Sequence, residues 1–205
     1  MSRPNARNLA GAVALVAVAS LATQYVVSNA RPGMGDPLTT LWSLARYFTI
    51  LTNALVAIGF GAYAMGRRPS DRTMAGIVLA IGLVGVVYHL LLAPSSPLQG
   101  LDFWADLGLH TLVPLGAVGW WLGWGGKGLH LRDLPYWVVW PLAYCAYALI
   151  RGAVDGRYPY FFLDLGTHDV AFVATYVAGI SGGFLGAGLA MLVLARSLRA
   201  VGISR

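Results

Sequence analysis

Stretches of about 20 nearly uncharged apolar residues recur along this chain, and no other feature limits its fold as strongly. Twenty helical residues span about 30 Å, the hydrocarbon thickness of a bilayer. Lipid offers no hydrogen bonds, so a crossing segment must satisfy its own backbone, which a helix does. The stretches lie at about 9–27, 41–65, 73–93, 105–124, 134–153 and 169–195. They predict an all-α polytopic membrane protein, a bundle of six transmembrane helices forming one domain over residues 1–205. Only 11% of the residues are charged, against about a quarter in soluble domains. The 26 glycines suit close helix contact in lipid.

The connections are short and carry the turn residues: Arg31-Pro32-Gly33, Arg67-Arg68-Pro69-Ser70-Asp71, Pro94-Ser95-Ser96-Pro97 and Gly125-Gly126-Lys127-Gly128. A net charge of +6 would point to nucleic acid in a soluble protein. Here it fits the bias of Lys and Arg toward the cytoplasmic side, so no nucleic-acid partner is expected. Arg3, Arg7, Arg67, Arg68, Arg72, Lys127, Arg132, Arg196, Arg199 and Arg205 fall on one side of the six-helix layout; Arg31, Arg151 and Arg157 fall on the other. Both termini are therefore expected in the cytoplasm. The first stretch imitates a signal peptide, but its apolar part exceeds the usual 7–15 residues; it reads as a retained helix. Trp42 and Trp104 suit the outer interface, and Trp124 and Trp137 the inner one.

Polar residues interrupt these runs at similar depth. Arg46, Thr49 and Asn53 fall at i, i+3 and i+7, which predicts one shared face of a helix over 41–65. Asp106 and His110 are one turn apart. His89 and Arg151 sit near the same end of their helices. Ionisable groups within a span face the bundle interior or a wet cavity, so a polar pocket near the outer side is expected. A hydroxyl beside an imidazole is sufficient for covalent acyl transfer. His110 has the near-neutral basicity to take the proton, and Thr49 is a hindered alcohol that would turn over slowly. Arg46 and Asn53 could donate to an oxyanion or to a substrate carboxylate.

Two roles are open to Asp106: orienting His110, or an ion pair with Arg151 that locks two helices. His89 is either a second pocket residue or a contact for lipid head groups. Cys145 reads as packing, and as the single cysteine it excludes an internal disulfide. His89, His110, His168 and Asp169 lack close ligand spacing, so no metal or cofactor is expected.

The segments "RYFTILTN" (46–53), "LGLHTLVPL" (107–115) and "RYPYFFLDL" (157–165) resemble signature segments of the FAR-17a/AIG1-like superfamily, and in particular its prokaryotic Pr6Pr branch. The resemblance extends to the six-helix layout. It implies an intramembrane hydrolase of fatty-acid esters, with Thr49 as nucleophile, His110 as its base and Arg46 in the family's basic position. It also implies a bacterial inner membrane, with membrane lipids and a lipid ester as partners. Asp106 stands where animal members have a different polar residue, so an orienting role is not implied for it. The competing class is a non-enzymatic membrane protein, either a small transporter or a lipid-binding partner subunit. A transporter would be expected to show inverted repeats and broken helices near the midplane, and the sequence shows neither. Gly179, Gly183 and Gly186-Ala187-Gly188 suit close packing within the bundle or a homo-oligomer.

Overall fold

The computed structural model describes residues 3–94 and 96–201; Ser95 and Arg205 lie outside them. The described residues are helical and contain no strand. In chain order the helices are α1 (Arg3–Asn29), α2 (Pro37–Leu44), α3 (Phe48–Ala64), α4 (Asp71–Val87), α5 (Gly100–Leu107), α6 (Val113–Trp124), α7 (Leu134–Asp155) and α8 (Val170–Ala200). Two π turns, Tyr88–Leu92 and Gly108–Leu112, extend α4 and join α5 to α6.

Four segments are long and apolar enough to cross a membrane: Pro4–Asn29, Asp71–Leu92, Leu131–Asp155 and Val170–Ala200. The pair α2 and α3 makes a fifth if its 96° bend is counted as one broken span. The predicted single helix over 41–65 is therefore corrected to two. The predicted 105–124 helix begins earlier, at Gly100, and is interrupted by a π turn. His110, Thr111 and a run of glycines dilute its apolarity, and it is not among those spans.

The break between α2 and α3 has a specific cause. The last carbonyls of a helix lack intrahelical donors, and here α7 supplies them. Arg151 donates to the Trp42 carbonyl, Tyr147 to Ala45 at 3.1 Å and Tyr144 to Arg46 at 2.8 Å. Residues 144, 147 and 151 share one helical face, so one face of α7 satisfies the end of α2 and holds the bend.

The core is formed by α1 with α3 and α6, and by α4 with α6, α7 and α8. Phe60, Trp120, Ile81 and Val113 are its large buried members. Trp120 donates its indole N–H to the Ala6 carbonyl at 2.9 Å, tying α6 to α1. Trp137 is buried and donates to Arg72 at 2.9 Å, so it belongs to the interior and not to an interfacial belt. Gly188 lets α8 approach Leu134 and Trp137, whereas Gly179, Gly183 and Gly186 face open space. Outside, Leu15, Ile58, Leu90, Leu115 and Val139 are exposed. Such a surface is compatible with hydrocarbon and costly in water.

Candidate active site

Each π turn contains one of the histidines singled out in the sequence. His89 lies in Tyr88–Leu92 and His110 in Gly108–Leu112. A π turn often marks a functional site because it re-aims side chains. Pro114 explains the second one. Its ring would clash with the carbonyl four residues back, and it has no N–H to donate. In the wider register the N–H of Val113 reaches Gly108, and the next carbonyl, Leu109, is left without its donor. Asn53 supplies one: its amide Nδ2 donates to Leu109 at 3.2 Å and to the Thr49 carbonyl at 2.9 Å. Asn53 thus couples the first turn of α3, which carries Thr49, to the turn that carries His110. It is fully buried, and its Oδ1 has no partner among the described residues.

Around His110 the groups are interlocked. Its Nδ1 lies 3.0 Å from the Asp106 carboxylate and 3.2 Å from the Asp106 carbonyl. The Tyr88 ring stacks on the imidazole, with centroids 3.7 Å apart and planes 10° from parallel. The Tyr88 hydroxyl donates to Asp106 at 2.5 Å. Tyr88 therefore covers the face of the imidazole while it holds the carboxylate in place. With Nδ1 taken, Nε2 is the nitrogen left for chemistry, and it has no hydrogen-bond partner among the described residues.

Thr49 and His110 line one cavity of about 390 Å³. Gln24, Ser28 and Arg31 from the α1 side make part of its wall polar, and Tyr47 and Tyr160 complete the wall near Thr49. Among the described residues no hydrogen bond joins Thr49 Oγ1 to His110. Thr49 also lines a smaller apolar pocket with Leu83, Val84, Cys145, Leu163 and Phe184. His110 and His89 line a third space, a groove of about 760 Å³ between α4, α6 and α8 that is almost wholly apolar. The two candidate residues sit where a partly polar cavity meets two almost wholly apolar ones. Burial pushes the Tyr160 phenol up from its ordinary range, and the nearby Thr49 hydroxyl opposes that shift.

The other predicted residues are placed differently. Arg46 does not share a helical face with Thr49; it lies in the break. Its guanidinium pairs with Asp155 at 2.6 Å and donates to the Arg157 carbonyl. It is not available as an oxyanion donor, and Asn53 has spent its amide on two carbonyls. Arg151 is not paired with Asp106. It lies over the Trp42 ring at 3.8 Å and 3.7 Å from Asp155. His89 is exposed, with Nε2 3.0 Å from the Thr111 hydroxyl. Cys145 is buried against the apolar pocket.

The sequence reading gave no site role to Tyr88 or Tyr160, used Arg31 only for topology, and noted Asp155 only as following Arg151 on the outer side. Tyr88 adjoins His89 and precedes a proline by six residues, a weak local signal. Tyr160 falls inside the aromatic segment 157–165. Nothing local marks Asp155 as the partner of Arg46.

No family model matches the chain, and no curated protein or solved structure matches it either.

Proposed function

We propose that this chain is an integral membrane hydrolase of fatty-acyl esters. In this reading six helices cross the membrane, with α2–α3 as one broken span and α5–α6 as another. The observation that carries the proposal is the shared cavity. It brings together a threonine hydroxyl and an imidazole whose Nδ1 is held by a carboxylate, at the junction of polar and apolar spaces. That is the division an ester of a long acyl chain requires.

In the proposed reaction Thr49 Oγ1 bonds to the acyl carbon while its proton passes to His110 Nε2. The tetrahedral intermediate collapses, the ester C–O bond breaks, and the leaving alkoxide takes the proton from the imidazolium. Water, deprotonated by His110, then attacks the acyl-threonine and releases the fatty acid. Asp106 stabilises the imidazolium through Nδ1, as an orienting carboxylate does in hydrolytic triads. Tyr160 is the hydroxyl positioned beside Thr49 to donate to the oxyanion. The acyl chain occupies the apolar pocket or the groove; Arg31, at the polar wall, is paired with Asp102 at 2.9 Å and closes that end of the cavity.

The test is labelling of the purified protein in detergent with a fluorophosphonate probe. Labelling is expected in the wild type and in Cys145→Ala, and is expected to be lost in Thr49→Ala and His110→Ala. Equal labelling of all four proteins would leave the lipid-binding, non-enzymatic reading in its place. The apolar groove of about 760 Å³ would then be the feature to explain.

A further inference from the structure

The opposite end of the helices holds a second polar cavity, of about 430 Å³. It lies beyond the last turn of α3, whereas Thr49 is in the first. Seventeen helical residues separate the two ends, about 25 Å at 1.5 Å per residue. Three arginines line it: Arg7 from α1, and Arg67 and Arg68 from the segment after α3. Among the described residues none of the three is paired with a carboxylate. The one acidic wall residue, Asp71, is packed against Gly126, where an added methyl would overlap its carboxylate. Three cations thus face a single anion.

The three arginines are exposed, but they line a shaped cavity. Gly66 turns with φ +89°, and the Arg7 guanidinium lies against its Cα, in the space a side chain would fill. Trp124 lies in the same wall. The first turn of α4 also opens here, and the N-terminus of a helix favours negative charge.

The donor set defines the ligand chemistry. Planar guanidinium forks bind oxyanions in pairs of hydrogen bonds. Several forks together match a tetrahedral anion with three or four acceptor oxygens better than a carboxylate with two. Tyr63, Trp120 and Trp124 add aromatic wall of the kind that sits at membrane interfaces. We propose that this cavity binds a phosphate group, carried either by an anionic lipid head group or by free phosphate. The proposal is independent of the hydrolase reading, since it uses the other end of the molecule.

The test uses the full chain in neutral detergent, with tryptophan fluorescence and the thermal midpoint as readouts. One arm titrates inorganic phosphate. A second adds mixed micelles of phosphatidylglycerol, and a third adds phosphatidylcholine, whose head group is zwitterionic. A saturable response to phosphate or to phosphatidylglycerol is expected, larger than any response to phosphatidylcholine. Response to phosphate alone identifies the free anion as sufficient; response to phosphatidylglycerol only identifies the head group. Arg67→Gln with Arg68→Gln should weaken binding about a hundredfold, on the order of tenfold per charge-assisted contact. Arg196→Gln with Arg199→Gln removes the same charge from α8, away from the cavity, and should keep wild-type affinity. All four arginines are exposed, so both proteins should fold. Fluorophosphonate labelling of the Arg67→Gln/Arg68→Gln protein should equal that of the wild type. No saturable response to either anion, or equal weakening in the two double variants, overturns the proposal.

Discussion

At the scale of single residues, Asp106 is the clearest case of a side chain whose role depends on its neighbours. It accepts from Tyr88 and faces His110 Nδ1, so in the proposed mechanism it is a positioning residue. Asp106→Asn keeps the shape but loses the charge that favours an imidazolium, and its amide can stabilise the wrong tautomer. Ester hydrolysis in this variant should fall by about 10²-fold in kcat with KM little changed. Tyr88→Phe keeps the stacked ring and loses only the hydrogen bond, so its kcat should fall by about tenfold or less. Steady-state kinetics on a short-chain ester checks both; an unchanged kcat in Asp106→Asn would remove it from the mechanism. His110 and Asp106 stand out in the sequence because ionisable groups in apolar runs are costly, whereas Thr49 is singled out only through the family resemblance. The partner of Asp106 was not legible, since Arg151 and His110 are both plausible from spacing alone. Arg46 was misread for a related reason. Its spacing from Thr49 is helical only if the helix continues, and hydropathy does not register that it stops.

Elements supply what residue types cannot. The bend between α2 and α3 depends on donors from α7, about 100 positions later in the chain, so no local window of sequence contains its cause. Tyr144→Phe leaves the Arg46 carbonyl buried without its donor. The expected cost is about 1–3 kcal/mol, or a lower Tm by roughly 2–4 °C per kcal/mol for a chain of this size. Thermal unfolding in detergent measures it, and an unchanged Tm would mean the bend does not depend on that bond. The π turn at His110 follows from Pro114, which was visible in the sequence. Its consequence was not, because a proline can kink, end or widen a helix. Pro114→Ala restores the missing N–H and lets the turn relax to the α register, which rotates His110 relative to Asn53 and Tyr88. Fluorophosphonate labelling of Thr49 should drop by about tenfold or more, with Tm unchanged or raised. Full labelling would show that the wide turn has no part in aiming the imidazole.

For the whole molecule, the two cavities divide the chain into two chemically different ends. Arg7, Arg67, Arg68 and Lys127 gather where α3 ends and α4 begins; Arg31 and Arg157 lie where α3 begins. If basic loops are retained in the cytoplasm, the proposed hydrolase has its Thr49 cavity toward the outer leaflet. The buried Cys145 is the only native thiol, so a Cys145→Ala background lets single cysteines report sidedness. Arg157→Cys, after α7, should react with a membrane-impermeant maleimide on intact cells. Arg68→Cys, between α3 and α4, should react only after the membrane is opened. Both positions are exposed, so protection must come from the bilayer and not from the fold. The pair also tests the count of spans. Between residues 68 and 157 the six-span reading places three crossings, made by α4, by α5–α6 and by α7, which puts the two cysteines on opposite sides. Without the α5–α6 crossing only two remain, and both cysteines would label from the same side. That result would place the two cavities at the same membrane face, an arrangement that helices α3 and α4 could not adopt while crossing between them.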